Sequence, residues 1–297
     1  VSDLLPGQWA IGEGSSEFVF GEGTSLMVDP PVIGDYEVRA TDSDLPEEDG
    51  AVPGLDLHGG RTITLDVSTD CTNRADAVAA WGQLAAAWDA RATRFSPRAV
   101  TVLRMRFPGA PDEVAVYGRP RKLTPSRVNL LEDGVAELVL SFEAFGKEFW
   151  GPEQNRVLTL GPNLTGGLHV PLTVPVLLDP ISGGDADVIL NDGVYPTWPV
   201  ITFTGPVSLP SIRWQSTGAT LLYEGTLATG QTLTVDTRPQ ARTILLDGLA
   251  APAGQMRGDA LADLSLPVGP TVVAYSGADP GGASSCTIRW RTARANL

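Results

Sequence analysis

Residue types able to carry out chemistry are few in this chain of 297 residues, and they are poorly placed to cooperate. His58 and His169 are its two histidines, each near Gly or Pro in a loop. Neither is followed by a second His, a Cys or a spaced carboxylate that would complete a metal site. Asp42-Ser-Asp44 begins like a calcium-binding loop, but Pro46 stands at the third ligand position and no Glu closes the pattern. Cys71 and Cys286 lie far apart in the chain and outside any metal spacing. They are expected to be two buried thiols, with no disulfide framework. The adjacent acids Glu47/Glu48, Asp112/Glu113 and Glu132/Asp133 sit in turn-like contexts where carboxylates are simply solvated. No G-x-S-x-G elbow, H-E-x-x-H, Walker loop or G-x-G-x-x-G occurs. The expectation is therefore a protein with no catalytic residues, no metal and no cofactor. Trp198, Trp214, Tyr223 and Tyr275 could form a sugar-stacking surface, or could be the inward aromatics of a sandwich core. Asn163-Leu-Thr165 matches a glycosylation sequon, which matters only in a secreted chain.

Charge is the feature with most structure. Residues 1–90 hold 17 Asp and Glu against three Arg, and residues 91–127 hold nine Arg and Lys against two acids. These segments carry nets of −14 and +7; the remainder carries −7, so the chain totals −14. An acidic segment followed by a basic one suits head-to-tail mating with copies of the same chain. It equally suits neutralisation inside one subunit. The acidic balance opposes a protein that grips nucleic acid through phosphates, yet fits a wall past which DNA slides. Lysine is confined to Lys122 and Lys147, a skew typical of a GC-rich genome.

The start, Val1-Ser2-Asp3, has no basic stretch leading into an apolar one, and no run approaches the ~20 apolar residues of a membrane-spanning helix. The expectation is synthesis in the cytoplasm without membrane insertion.

The elements that would position these residues are mostly strands. One segment, about 73–90, has helical period, with Ala77, Val78, Trp81, Leu84, Ala85 and Trp88 three or four apart. Thr72 or Asn73 can cap it, and Asp76 in its first turn complements the helix dipole. Arg61–Val67 alternates strictly, turning Ile63, Leu65 and Val67 inward; Val100–Phe107 does likewise, throwing Arg104 and Arg106 to the other face. Glu113–Tyr117, Arg119–Val128 and Val135–Phe145 complete this half. Between Ala40 and Arg61 the pattern predicts a long aperiodic loop whose five acids Asp42, Asp44, Glu47, Glu48 and Asp49 are solvated or face an arginine partner. A Gly/Pro-rich stretch, 151–175, reads as a linker between a domain at 1–150 and another at 176–297. Seven short strands follow it: Pro199–Phe203, Ser211–Trp214, Thr220–Glu224, Leu233–Asp236, Arg242–Asp247, Pro270–Tyr275 and Cys286–Arg291. Separated by turns such as Asp247-Gly248, they predict a β-sandwich.

The second half also carries an ordered set of signatures: Val188-Ile-Leu-Asn-Asp-Gly193 with Pro196-Thr-Trp-Pro-Val200, then Gly230-Gln-Thr-Leu-Thr-Val-Asp236, Arg242-Thr-Ile-Leu-Leu-Asp-Gly248, Leu266-Pro-Val-Gly-Pro-Thr-Val-Val-Ala-Tyr275 and Thr287-Ile-Arg-Trp-Arg291. In this order they resemble the distal tail proteins, or minor tail proteins, of long non-contractile-tailed bacteriophages. Gln231 stands for that family's usual Asp, Asp247 for Asn, and Pro270-Thr271 for a common Asn. The likeness covers about the last 110 residues by motif and the first 150 by element order. It implies a mainly β fold: an N-terminal tail-tube-like β-barrel or sandwich with one flanking helix, then a galectin-like β-sandwich. It also implies a homohexameric ring at the distal end of the tail, joining the tail tube protein to a tail-tip or baseplate hub protein. The tape measure protein and DNA would pass through its lumen. In such a ring Asp42, Asp44, Glu47, Glu48, Asp49, Arg104 and Arg106 are the expected interface or lumen residues. Trp198, Trp214, Tyr223 and Tyr275 are the glycan-contact candidates of the alternative reading, a carbohydrate-binding tail protein.

Overall fold

A computed structural model describes residues 3–97, 99–129, 131–160, 183–251, 253–279 and 281–295. The chain forms two units. The first runs to Pro152 and takes the chain back from Arg294; the second spans Glu153–Ala293.

In the first unit, β1 (Gln8–Ile11), β2 (Phe18–Gly21), β3 (Leu26–Val28) and β4 (Val32–Ile33) precede four short strands, β5 (Val38–Ala40), β6 (Ser43–Asp44), β7 (Ala51–Val52) and β8 (Asp56–His58). Then come β9 (Arg61–Thr69), α1 (Arg74–Asp89), α2 (Arg91–Arg94), β10 (Thr101–Met105), β11 (Val114–Arg127), β12 (Glu137–Ala144) and β13 (Phe149–Thr159). The ladder runs β2-β1-β10-β11, continues through β12 to β9, and ends with β3 and β4 on β9. The edge strands β2 and β3 share no ladder, so among the described residues the strands form an open, two-layered arrangement and not a closed barrel.

The hinge of this arrangement is β11. The sequence suggests two strands here, Glu113–Tyr117 and Arg119–Val128, but the chain makes one of 14 residues. Its first part pairs with β10 and its second with β12, the change falling at Gly118, opposite both Thr101 and Ala144. A Cβ at Gly118 would lie 2.0 Å from the Glu143 carbonyl oxygen, so only glycine allows the strand to change partners there. Alternating residues fill the space between layers: Ile63, Leu65 and Val67 of β9, Leu138, Leu140 and Phe142 of β12, and Trp9, Ile11, Leu103 and Met105 opposite.

α1 covers this core. The Asn73 side chain accepts a hydrogen bond from the Asp76 N–H at 3.0 Å, satisfying an otherwise orphaned donor. Ala77, Leu84 and Trp88 are buried, Trp81 is half-buried, and Val78 is exposed, so the inward stripe is narrower than the sequence period suggests. Trp88 donates its indole N–H to the Lys122 carbonyl at 2.9 Å, tying the helix to β11. Ala90, at φ 40°, ends the helix in the left-handed region, and the single turn of α2 follows.

The second unit contains β14 (Gly183–Asn191), β15 (Val200–Thr204), β16 (Val207–Trp214), β17 (Thr220–Tyr223), β18 (Thr226–Leu227), β19 (Thr232–Asp236), β20 (Thr243–Leu246), β21 (Leu249–Ala250), β22 (Met256–Gly258), β23 (Gly269–Ala278) and β24 (Ser285–Arg294). One sheet orders β14-β23-β16-β17-β22 with β18 on β16; the facing strands run β24-β15-β19-β20-β21. Their inner faces make one core around Trp214, Tyr275, Phe203, Leu233 and Ile288, a β-sandwich. The turn Asp247-Gly248 has φ of 49° and 79°, the positive pair a two-residue hairpin requires. Asp247 Oδ1 accepts from the Thr232 N–H at 2.8 Å, fastening the turn to β19.

The expected linker, 151–175, is corrected in its first part: residues up to Thr159 belong to β13, the strand that carries the chain into the second unit. Its later part, with His169 and Asn163-Leu-Thr165, lies outside the described residues.

Candidate assembly surface

The segment expected to be an aperiodic loop is a ribbon. β5 pairs with β8 (Val38 opposite His58, Ala40 opposite Asp56), and β6 pairs with β7 (Ser43 opposite Val52). Between the two ladders Thr41 Oγ1 accepts from the Leu55 N–H at 2.7 Å and Asp42 Oδ1 accepts from the Gly54 N–H at 2.7 Å. The Leu45 N–H closes the tip on the Gly50 carbonyl at 3.1 Å. The one local sequence signal is Asp49-Gly50, a turn dipeptide at the tip.

Every residue from Asp35 to His58 is exposed. The arm therefore has no core of its own, and two-stranded ribbons are marginal in water. It nevertheless carries Val38, Leu45, Val52, Leu55 and Leu57, with Leu55 72% exposed. It also carries eight carboxylates against one arginine, Arg39. Of the acids singled out at its tip, Asp42 serves the ribbon's own backbone, while Asp44, Glu47, Glu48 and Asp49 stand in solvent.

The root of the arm is fastened. The Tyr36 ring packs on the His58 ring at 4.6 Å, and the Arg61 guanidinium lies 4.7 Å from the Phe149 ring centroid and 5.6 Å from that of Tyr36. Arg61 donates to the Lys147 carbonyl, and Lys147 Nζ meets His58 Nδ1 at 2.8 Å. This histidine is thus part of a structural joint.

Arg104 is corrected. The expectation placed it on an outer face of β10, yet it is 1% exposed and ion-paired with Glu17 at 3.1 Å and Glu113 at 3.4 Å. β10 is a central strand between β1 and β11, with Ala10 and Ala115 in register beside Arg104, and both faces of the strand are covered. Arg106 is half-buried and donates to the Leu4 carbonyl at 2.9 Å and the Pro111 carbonyl at 3.1 Å. Much of the remaining basic segment is also engaged locally. Arg121 pairs with Glu143 at 2.5 Å, Arg127 with Glu137 at 3.1 Å, and Arg119 donates to the Ala99 and Ser96 carbonyls. Of the two readings of the charge segregation, the positive half is thus largely answered within the subunit, while the arm's acids have no ion pair among the described residues.

The glycan platform is corrected too. Trp214 and Tyr275 are fully buried and Tyr223 is 4% exposed, all in the sandwich core. Trp198 is half-buried and donates its indole N–H to the Ala262 carbonyl at 3.1 Å. Trp214, Tyr223 and Tyr275 therefore present no free ring face on which a sugar could stack. Burial pushes the Tyr275 phenol up from 10.0 to about 12 despite its hydrogen bond to Ser284, and raises the Cys286 thiol. Burial likewise raises the Asp279 carboxyl, but backbone N–H groups of Ser284, Gly281 and Gly282 outweigh it and hold the group below 3.8. These perturbed groups lie in a core and a turn, where they stabilise the fold. Among the described residues no group of three His, Cys, Asp or Glu side chains converges to hold a metal ion.

The sequence matches no protein family and no curated protein. Solved structures do match. The crystal structure of SPP1 Dit (gp 19.1), described as a paradigm of the hub adsorption apparatus in phages infecting Gram-positive bacteria, aligns over 96% of this chain and 98% of its own, at 13% identity and a TM-score of 0.51. A chain of the phage P2 baseplate in its activated conformation with Ca aligns over 95% of this chain and 97% of its own, at 10% identity and a TM-score of 0.58. The same baseplate with Sr gives the same figures. The chain has the fold of these tail proteins along nearly its whole length.

Proposed function

We propose that this protein is a structural subunit of a phage tail, a distal tail adaptor that assembles as a homohexameric ring between tail tube and tail tip. It carries out no catalysis. The observation that supports this most directly is the arm, an exposed, apolar and acidic ribbon on a fastened root that no described residue of its own subunit covers. Fully burying a Val or Leu side chain is worth roughly 1.5–3 kcal/mol, so covering five of them supplies a gross drive comparable to a protein–protein contact. A neighbouring copy is the occupant that repeats: each subunit lends its arm forward and receives one from behind, and rotation closes the set. Val38 and Leu57 point to opposite faces of the ribbon, so the neighbour covers apolar side chains on both, while Asp44, Glu47, Glu48 and Asp49 near the tip remain in water. Repeated around a bore, those carboxylates form a negative collar that repels phosphate and lets DNA pass without adhering.

The test replaces residues 42–54 by a two-residue Asn-Gly turn and compares native mass spectra with the parent, alone and with tail tube protein. The parent is expected at six copies and the shortened chain at one, with unchanged circular dichroism. A shortened chain that still forms the ring would remove the arm from the interface.

A further inference from the structure

A cleft of about 620 Å³ opens beside the N-terminal half of α1, between the helix and the β2–β3 connection. Phe18, Val19, Leu26 and Ala80 give it an apolar lining, and the exposed Asp70 and Asp76 stand at its rim. At the other end of the same helix, left-handed Ala90 turns the chain into α2, which ends on Phe95. That ring is 68% exposed and lies 5.8 Å from the Arg91 guanidinium and 4.8 Å from that of Arg94. A large ring held in water between two cations has the composition of an interface anchor.

We propose that the Phe95 knob of one copy seats in the α1 cleft of the next copy, the ring on the apolar lining and Arg91 facing Asp70 and Asp76. Arg94 is already paired with its own Asp89 at 2.6 Å, while Arg91 has no ion pair among the described residues and brings the charge. The geometry favours a neighbour over self-insertion. The 16 residues of α1 span roughly 24 Å, which keeps each knob away from its own cleft. One knob and one cleft at opposite ends of a rigid rod are the two halves of a heterologous contact, and in a closed ring every one is filled. The inference rests on the ring-adaptor reading and adds a contact separate from the arm.

The test uses the natural Cys71, which lines the cleft, while Cys286 is buried and out of reach. Phe95→Cys in the full chain, mildly oxidised, is expected to give a non-reducing ladder from dimer up to the closed ring, because each copy carries the two thiols on different surfaces. Adding Cys71→Ser should abolish the ladder; dimers that survive it would mean symmetric pairing and overturn the proposal. Photo-crosslinking from p-benzoylphenylalanine at position 95 is expected to capture the neighbour's 70–83 peptide; capture of the 35–58 arm or of another protein overturns it. Arg91→Glu and Asp70→Arg should each weaken association at least tenfold at low salt, and the pair together should restore most of it. A parent that is hexameric by native mass spectrometry while Phe95→Cys gives no ladder refutes the knob contact and leaves the adaptor reading standing. A parent that stays monomeric and never crosslinks refutes both.

Discussion

Replacing Arg104 by methionine separates a structural cation from an interface cation. The guanidinium is 1% exposed and lies 3.1 Å from Glu17 and 3.4 Å from Glu113, whose side chains are 7% and 17% exposed. Methionine keeps the length and apolar bulk but leaves two carboxylates facing one another in a covered site. Breaking a buried ion pair in this way costs about 3–5 kcal/mol, because the remaining charge keeps its desolvation penalty without its partner. For a unit of this size that corresponds to a fall in melting temperature of roughly 10–15 °C. Adding Glu17→Gln and Glu113→Gln removes the stranded charges and is expected to recover at least half of the loss, since uncharged replacements of buried ion clusters are often near neutral. Hydrogen exchange in graded urea, read by mass spectrometry on peptides from β10 and β16, reports each unit separately. Protection should fall in β10 and hold in β16. If Arg104→Met leaves β10 protection within about 1 kcal/mol of the parent yet dissolves the oligomer, Arg104 acts between subunits and the buried-triad reasoning is wrong.

Three further outcomes follow from local physics. Ala90→Gly relieves the left-handed backbone at the end of α1 and should stabilise the first unit by about 0.5–1 kcal/mol in urea unfolding. Asp279→Asn removes a carboxylate that accepts from the Gly281, Gly282 and Ser284 N–H groups, and should cost about 1–3 kcal/mol at neutral pH. Because the native carboxyl titrates below 3.8, the parent's advantage is present above that pH and fades as the pH falls through the native value, which acid titration of parent and variant will show. Tyr275, raised to about 12, is favoured in its neutral form, so its contribution is complete below pH 10 and is lost as pH rises toward 12. Second-unit stability should decline across that window in the parent and decline less in Tyr275→Phe.

Periodicity made much of the fold legible. The strict alternation of Arg61–Val67 and Val135–Phe145 located β9 and β12, which lie in register with Ile63 opposite Phe142 and Leu65 opposite Leu140. Asn73 and the 73–90 spacing located α1, and Asp247-Gly248 located a hairpin turn. Strands β1, β2 and β14 escaped notice because their segments are short or glycine-rich and alternate weakly. β11 was split at Gly118 because glycine usually punctuates a strand; here it permits a close crossing. The arm looks like a loop in sequence because its strands are two or three residues long and bury nothing, so no apolar period exists to detect.

By itself the amino-acid order determined the mainly β character, the one long helix, many of the longer strands and the absence of recognisable catalytic or metal motifs. Each of these depends on local spacing and turn chemistry. Tertiary structure alone decided that Arg104 is an internal cation, that Trp214, Tyr223 and Tyr275 are core, and that the Asp35–His58 segment stands out as a ribbon. Alternation reports that a strand has two faces; whether the second face meets water depends on which distant segments pack over it. For Arg104 those segments bring Glu17 and Glu113, and for the arm no segment arrives among the described residues.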